Sequence, residues 1–226
     1  MTNNTLRMLK NTIIRFSNHL EPEETEYFRG AIINTAEMMG SVLFHNHTSE
    51  GFRWGYPLIQ YKSLNGRAAI VGIAEGADEL LKLRPYLDRE LHIGNKIMKF
   101  NVVSTEEITS DVGLSKHLMH YVLTGWMPFS QQNVRTFHSM KDELERKIML
   151  ESILVGNILA FFKGIKLFVD DNVVCRIEGR GPIQNTLYKN MKMKTFDVAF
   201  YTNAILPNNL GLGRRTSLGY GTITLN

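Results

Sequence analysis

The Asn65-Gly66 pair lies between two strand-like runs and constrains the fold more than any other feature of this sequence. Leu58–Lys62 precedes the pair and Arg67–Ile73 follows it, and both runs contain β-branched or aromatic residues. Asn-Gly readily adopts the positive φ angles that a tight hairpin turn requires. The pattern therefore predicts an antiparallel hairpin, whose sheet needs neighbouring elements to cover one of its faces.

The segments on either side of this hairpin supply those elements. Leu6–Phe16 alternates loosely between apolar and polar residues and predicts a strand. Glu21–Glu24 places a proline and acidic residues where a first helical turn favours them, and predicts a helix that ends near Gly40. Glu75–Leu83 predicts a second helix, and Leu91–Val103 predicts one or two more strands. Strand, helix, hairpin, helix, strand is the order of a ferredoxin-like domain.

The second half of the chain predicts the same order after a polar domain boundary at Thr105–Lys116. The predicted elements are a strand at Leu118–Gly125, a helix at Ser139–Phe162 capped by Ser139 and Asp142, a hairpin of Ile165–Val169 and Val173–Ile177, and strands at Phe196–Tyr201 and Tyr220–Leu225. The apolar stripe predicted for the helix is Leu144, Ile148, Ile153, Leu154, Ile158, Leu159 and Phe162. We therefore predict an α+β fold of two tandem ferredoxin-like (RRM-like) domains, each an antiparallel sheet with helices on one face, over residues 1–108 and 114–226.

The composition limits the environment of the protein more than its function. The 226 residues carry a formal net charge of +4, which suits a polyanion partner without requiring one. The single cysteine, Cys175, excludes an intramolecular disulfide and a cysteine-based metal cluster, and it suits a reducing cytoplasm. The sequence contains no apolar run of the roughly 18 residues that a membrane span needs. We expect a cytoplasmic protein with no membrane partner.

A glycine-rich segment at Gly211–Gly221 is the strongest functional signal. Its glycines are Gly211, Gly213, Gly219 and Gly221. Glycine lets a backbone approach a ligand closely, while Arg214, Arg215 and the Ser217 hydroxyl are donors suited to phosphate. The segment lacks the lysine of a P-loop and the spacing of a dinucleotide fingerprint. It predicts either a cradle for a nucleic-acid backbone or a glycine-rich hairpin with an arginine-bearing tip.

These residues resemble a known family. The runs that carry the resemblance are Leu206-Pro207, Gly211–Arg214, Ser217–Gly221, Tyr56–Lys62, Ala68–Ile73 and His120–Pro128. They are similar to the CRISPR-associated repeat-RNA endoribonucleases, which process precursor crRNA, and in particular to the b-type branch of that family within the RAMP superfamily. Members often carry Lys at the position of Arg214, and the positive charge is kept here. The resemblance implies that CRISPR repeat RNA is the partner and that the glycine-rich segment binds it.

Four residues are candidates for catalysis. RNA cleavage without a metal needs a base for the 2′-hydroxyl, an acid for the leaving oxygen and a donor for the phosphorane. If their stretch is extended, His45 and His47 project to one side with rings roughly 6–7 Å apart, and the family places a catalytic histidine in this region. Arg53 could stabilise the charge, and His19 is a third proton-transfer candidate. Tyr27 and Lys62 are alternatives that packing or solvation explains equally well.

The resemblance implies a metal-independent endoribonuclease that needs no cofactor and leaves a 2′,3′-cyclic phosphate or a 3′-phosphate. Two alternatives stay open: a non-catalytic RAMP-type RNA-binding subunit of a CRISPR effector complex, and a metal enzyme built on the His-x-His pair. The metal enzyme lacks a suitably spaced acid, since Glu50 is the closest. Subunits of an effector complex and a second copy of the chain are further partners that the resemblance admits.

Overall fold

A computed structural model of the protein describes residues 6–37, 44, 47–48, 51–52, 55–188 and 191–226. The strands of the described chain are β1 Leu6–His19, β2 His47–Thr48, β3 Gly51–Phe52, β4 Ile59–Leu64, β5 Arg67–Ile73, β6 Glu90–Ile93, β7 Lys96–Lys99, β8 Val102–Trp126, β9 Cys175–Arg180, β10 Gln184–Tyr188, β11 Met191–Ile205 and β12 Thr222–Leu225. The α-helices are α1 Thr25–Glu37, α2 Glu75–Leu83, α3 Gln131–Ser139 and α4 Glu143–Gly164. Single 3₁₀ turns occur at Pro22–Glu24, Arg84–Tyr86 and Thr216–Leu218.

The described residues form two compact units. The N-terminal unit comprises residues 8–110 together with Ser217–Gly219. The C-terminal unit comprises the described residues up to Arg7, then Asp111–Thr216 and Tyr220–Asn226. The predicted boundary at Thr105–Lys116 lies inside the single continuous strand β8.

The N-terminal unit has the strand order of a ferredoxin-like domain. Its sheet runs from the first half of β8 through β1 and β5 to β4. The β4–β5 hairpin is confirmed: Tyr61 lies opposite Ile70, and the turn uses φ angles of 52° at Asn65 and 74° at Gly66. These are the angles of a type I′ turn, which explains why the Asn-Gly pair fixes this hairpin.

The helices of the N-terminal unit begin where the sequence predicts. Glu21 and Glu24 form a capping box, and Pro22 occupies the first turn before α1. Phe28 of α1 stacks on Phe100 with ring centroids 5.3 Å apart, and Phe16 meets both rings edge-on. These buried rings attach α1 to the sheet, and aromatic pairs of this kind add about 0.5–1.5 kcal/mol each beyond the area they bury.

The C-terminal unit has a four-stranded sheet in the order β12, β8, β11, β9, and β10 extends β11 as a hairpin. Helix α4 covers one face, and the Glu151 carboxylate joins it to β9 by accepting a bond of 2.9 Å from the Ile177 N–H. Between β11 and β12, where a ferredoxin-like domain has its second helix, the chain has the glycine-rich segment and one 3₁₀ turn. The predicted class of two tandem ferredoxin-like domains is confirmed.

The predicted start of the long helix is wrong. Ser139 ends the separate helix α3, where its hydroxyl donates to the Thr136 carbonyl at 2.8 Å instead of capping a new helix. Asp142 caps α4 alone, and its carboxylate accepts from the Leu144 N–H at 3.0 Å. The predicted stripe is wrong in part, because Leu144 is 62% exposed and Ile148 is 56% exposed.

The predicted hairpin at residues 165–177 is also wrong. Ile165 and Leu167 are buried on either side of an exposed Lys166, and this alternation mimics a strand. Lys166 instead adopts a left-handed φ of 58°, and the Leu167 N–H donates to the Phe162 carbonyl at 2.8 Å. That bond closes the end of α4 in the manner of a Schellman motif.

Two properties of the described residues bear on function. None of the helices is long and apolar enough to cross a membrane. Within the same part of the chain, no three His, Cys, Asp or Glu side chains lie close enough together to hold a metal ion.

Candidate functional site

The glycines of the glycine-rich segment face the protein itself. Gly213 has a φ of 101°, and a Cβ there would lie 2.8 Å from the Trp126 ring. Gly221 has a φ of 65°, and a Cβ there would overlap the Leu212 carbonyl oxygen. The Leu212 N–H donates to the Gly221 carbonyl at 2.7 Å. Glycine is therefore required at these positions for the segment to fold against its own strands.

The two arginines lie between these glycines. Arg214 is exposed, and its backbone N–H donates to the Met127 carbonyl at 3.1 Å. Arg215 has a left-handed φ of 57° and is half-buried. The backbone anchors hold this part of the segment in place while the Arg214 side chain stays in solvent. An exposed guanidinium on a fixed backbone is suited to contact a phosphate.

The end of the segment, residues 217–219, belongs to the N-terminal unit. Gly219 has a φ of 86°, and a Cβ there would lie 3.0 Å from the Tyr61 carbonyl oxygen and 3.4 Å from the Lys62 Cα. The same position is 3.8 Å from the Thr25 methyl group at the start of α1. Ser217, which lies two residues earlier, belongs to the same unit and is half-buried. The segment thus reaches the first turn of α1 and strand β4.

Lys62 and Tyr61 are buried beside Gly219. Lys62 is fully buried, and burial lowers the pKa of its ammonium to about 7. Tyr61 is also fully buried, burial raises the pKa of its phenol, and its hydroxyl has no hydrogen-bond partner among the described residues. Desolvation penalises the charged form of either group, which explains both directions. The buried Lys62 therefore lies on the strand whose main chain Gly219 contacts.

His19 lies at the end of β1 in the same unit. Its Nε2 is 2.7 Å from a Glu21 carboxylate oxygen, and both side chains are exposed. The ring rests on the β4–β5 turn, 3.2 Å from the position of a Cβ on Gly66. Leu20, which directly follows β1, donates its N–H to the Gly66 carbonyl of the turn at 3.0 Å, and its carbonyl accepts a bond of 2.7 Å from the Ser63 hydroxyl of β4. The carboxylate and the turn together fix the orientation of an accessible imidazole.

The other catalytic candidates are described only in part. His47 is the first residue of β2 and pairs with Phe52 of β3, and its side chain lies outside the described residues. His45 and Arg53 lie outside the described residues altogether. The structure therefore places His19 and the glycine-rich residues, and the predicted roles of all these residues stay predictions.

Sequence reasoning undervalued Lys62. The run Ile59–Lys62 is buried at every position, although β4 is the edge strand of its sheet. A lysine that directly follows an apolar strand residue was the only local signal, and it reads equally well as a solvated edge. A segment from the far end of the chain lies against its main chain, since a Cβ on Gly219 would be 3.4 Å from the Lys62 Cα, and no local pattern reveals that neighbour.

Two ferredoxin-like units in tandem, with a glycine-rich segment before the last strand, define the fold class of this protein. Family models place the chain more narrowly: the Cas6b N-terminal domain matches residues 7–110, and the Cas6b C-terminal domain matches residues 113–225. The chain belongs to the Cas6b family.

Solved structures and a curated relative show similar chains. A crystal structure of Cas6b is 25% identical, covers 97% of this chain and 100% of its own, and superposes with a TM-score of 0.86. The crystal structure of a "CRISPR RNA processing endoribonuclease Cas6b" is 22% identical over 97% of this chain and 100% of that one, with a TM-score of 0.75. An uncharacterized protein of Methanocaldococcus jannaschii is 26% identical over 136 residues, which are 60% of this chain and 91% of that protein.

Proposed function

We propose that this protein is a metal-independent endoribonuclease that binds CRISPR repeat RNA and cuts precursor crRNA within each repeat. The observation that carries the proposal is the match of Cas6b domain models to both halves of the chain. A solved relative that superposes over nearly the whole chain is described as a CRISPR RNA processing endoribonuclease. The exposed arginine on the glycine-rich segment adds a physical reason for RNA binding.

In the proposed reaction, the RNA supplies its own nucleophile. A base removes the proton of the 2′-hydroxyl, whose oxygen forms a bond to the adjacent phosphorus. The bond from phosphorus to the 5′-oxygen breaks, and an acid protonates that leaving oxygen. The products are a 2′,3′-cyclic phosphate, or a 3′-phosphate after its hydrolysis, and a 5′-hydroxyl. This chemistry balances without a metal or a cofactor.

The proposed proton-transfer groups are His45 and His47. The roles of base and acid are assigned to the pair together, and Arg53 stabilises the phosphorane. His19 is the third candidate. It is exposed and oriented by Glu21, as an imidazole that exchanges protons with a bound substrate must be. An imidazole has the further advantage of an ordinary pKa of about 6.5, close to working pH.

The proposed RNA-binding residues are those of the glycine-rich segment: Gly211, Gly213, Arg214, Arg215, Ser217, Gly219 and Gly221. Arg214 contacts phosphate from solvent, and the glycines hold the segment in the conformation that presents it. Gly211 contributes through its bridge to Thr222, which joins the segment to β12. Gly219 packs against β4 within the N-terminal unit.

The test is a cleavage assay with labelled repeat RNA from the same genome. We expect one cut per repeat that persists in EDTA and disappears when the 2′-hydroxyl at the cut site is replaced by hydrogen. Loss of cutting in EDTA, or cutting of the deoxy substrate, would contradict the mechanism. Analysis of the upstream fragment for a cyclic phosphate checks the product directly.

Paired variants separate the enzyme from a non-catalytic RNA-binding subunit of an effector complex. In the double variant His45→Ala, His47→Ala, we expect cutting to be lost and RNA affinity to stay within about threefold of wild type. His117→Ala is the matched control, since His117 is exposed on β8 and has no proposed role. A wild-type protein that binds repeats and never cuts them would favour the non-catalytic subunit.

A further inference from the structure

A cleft of about 500 Å³ runs between α1 and the β6–β7 hairpin. Helix α1 contributes one of its faces, which includes Tyr27, Gly30 and Asn34, and the hairpin contributes His92 and Asn95. All of these residues belong to the N-terminal unit. The volume lies within the range of small-ligand sites and is large enough for a nucleotide.

Tyr27 forms an aromatic surface at one end of this cleft. The residue is 57% exposed. Its ring lies 3.8 Å from the position of a Cβ on Gly94, in the turn between β6 and β7. Gly94 has a φ of 60°, a left-handed turn conformation that favours glycine. The backbone of the turn therefore supports the ring, and much of the ring remains available for stacking.

Polar groups surround the open middle of the cleft. A Cβ on Gly30 would meet no atom within 4 Å, so the helix leaves this part of the cleft unfilled. Asn34, His92 and Asn95 are exposed around it. Asparagine amides offer a donor and an acceptor side by side, which is the arrangement that a base edge presents.

The charges of the lining argue for a base rather than a phosphate. The described lining contains one arginine, Arg89, and two carboxylates, Glu26 and Glu90, so these residues carry no surplus of positive charge. Lys96 on the same hairpin is paired with Glu24 at 3.3 Å. A site for a phosphate gathers unpaired cations, whereas a base needs a stacking surface and hydrogen-bonding edges.

We propose that this cleft binds one unpaired base of the repeat RNA, stacked on Tyr27 with its edge toward Asn34 and Asn95. The proposal rests on the proposed function, because it presupposes that repeat RNA binds. Proteins that recognise RNA by sequence commonly take splayed-out bases onto aromatic side chains and read their edges. The cleft thus adds sequence selectivity to the backbone contacts of the glycine-rich segment.

The test compares Tyr27→Phe with Tyr27→Leu. Phenylalanine keeps the ring, and leucine keeps apolar bulk over Gly94 without an aromatic face. The ligand is repeat RNA with a 2′-deoxy residue at the cut site, which prevents cleavage during the measurement. We expect Tyr27→Phe to bind within twofold of wild type and Tyr27→Leu to bind about tenfold more weakly. Thermal melting followed by circular dichroism checks that both variants fold.

Abasic scanning of the same RNA identifies the base. We expect removal of one particular base to weaken wild-type binding about tenfold and to have no further effect in Tyr27→Leu, since both changes delete the same contact. Binding of Tyr27→Leu within twofold of wild type, or additive losses at every abasic position, would overturn the cleft assignment. If the wild type cuts repeats normally in that case, the proposed function stands. A wild type that does not bind repeat RNA would overturn both.

Discussion

Replacement of Lys62 by methionine should change how the stability of the protein depends on pH. Methionine has a similar volume and cannot take up a proton. Burial lowers the pKa of the Lys62 ammonium from 10.5 to about 7, and the side chain has no exposed surface to screen it. At about 1.36 kcal/mol for each pKa unit, the charged form costs the folded state at most about 5 kcal/mol.

The direction of the effect follows from proton binding in the two states. Below pH 7 the lysine is charged in both the folded and the unfolded chain, and the full cost is present. Between pH 7 and 10.5 the unfolded chain holds the extra proton, so the stability of the wild type rises with pH. Above pH 10.5 the amine is neutral in both states and the cost is gone. From pH 7 to pH 9 the wild type should gain at most about 3 kcal/mol relative to Lys62→Met.

Urea denaturation at pH 7, 8 and 9, followed by circular dichroism, measures this difference. Lys62→Met removes the contacts of the amine at every pH, so the slope with pH carries the test rather than the absolute stability. Lys62→Arg is a matched control, because a guanidinium stays charged throughout this range and its stability should run parallel to that of Lys62→Met. Parallel curves for the wild type and Lys62→Met would refute the reasoning and show that the buried amine does not titrate in this range.

The glycine-rich segment allows two further predictions. Gly221→Ala should destabilise the protein by more than 2 kcal/mol in thermal melting, because it combines a left-handed φ with overlap of a main-chain oxygen. Two controls separate these causes: Gly125→Ala should cost only the strain of its left-handed φ, about 1 kcal/mol, and Gly179→Ala should leave stability unchanged. Arg214→Ala should weaken repeat-RNA binding and lower the slope of log affinity against log salt concentration by about 0.7. Lys163→Ala is the control: it removes the same charge from the exposed end of α4 and should leave that slope unchanged.

The parts of the fold that could be predicted are those whose signals are local. Asn65-Gly66 needs only its own positive φ angles to form a turn, and the structure has them. Helix α2 occupies the predicted Glu75–Leu83 because its buried residues recur at helical spacing and a proline follows at once. The order of elements then gives the tandem ferredoxin-like class, since few other sheets accommodate that order.

The failures occurred where tertiary contacts override a local pattern. Ile165 and Leu167 alternate with a lysine as strand residues do, and the structure instead closes a helix there with a left-handed Lys166. A left-handed lysine has no signature in sequence, because only surrounding contacts make the conformation favourable. In the same way, Leu144 and Ile148 recur at helical spacing and yet remain exposed on α4.

Only the part of the candidate site that is contiguous in sequence could be predicted, since the rest depends on contacts between distant segments. The glycine-rich run with its arginines is a contiguous sequence motif, and its resemblance to a family identified the protein class. The cleft beside Tyr27 is not visible in this way, because it needs a glycine turn from a distant hairpin to support the ring. The burial of Lys62 likewise has no local signal, because Gly219, which lies against its main chain, comes from the far end of the sequence.

The glycines of this segment carry a role different from the one that their composition first indicates. A glycine run near arginines predicts a backbone that approaches a ligand. In the structure, the space that a side chain would need at these glycines is occupied by the protein itself. The Trp126 ring occupies it at Gly213, and neighbouring main-chain atoms occupy it at Gly219 and Gly221. Substitution of these glycines would therefore lower stability and RNA affinity together. Arg214 is exposed and its backbone is anchored separately, so under the proposed function its side chain is the place in the segment where RNA binding can be changed without changing the fold.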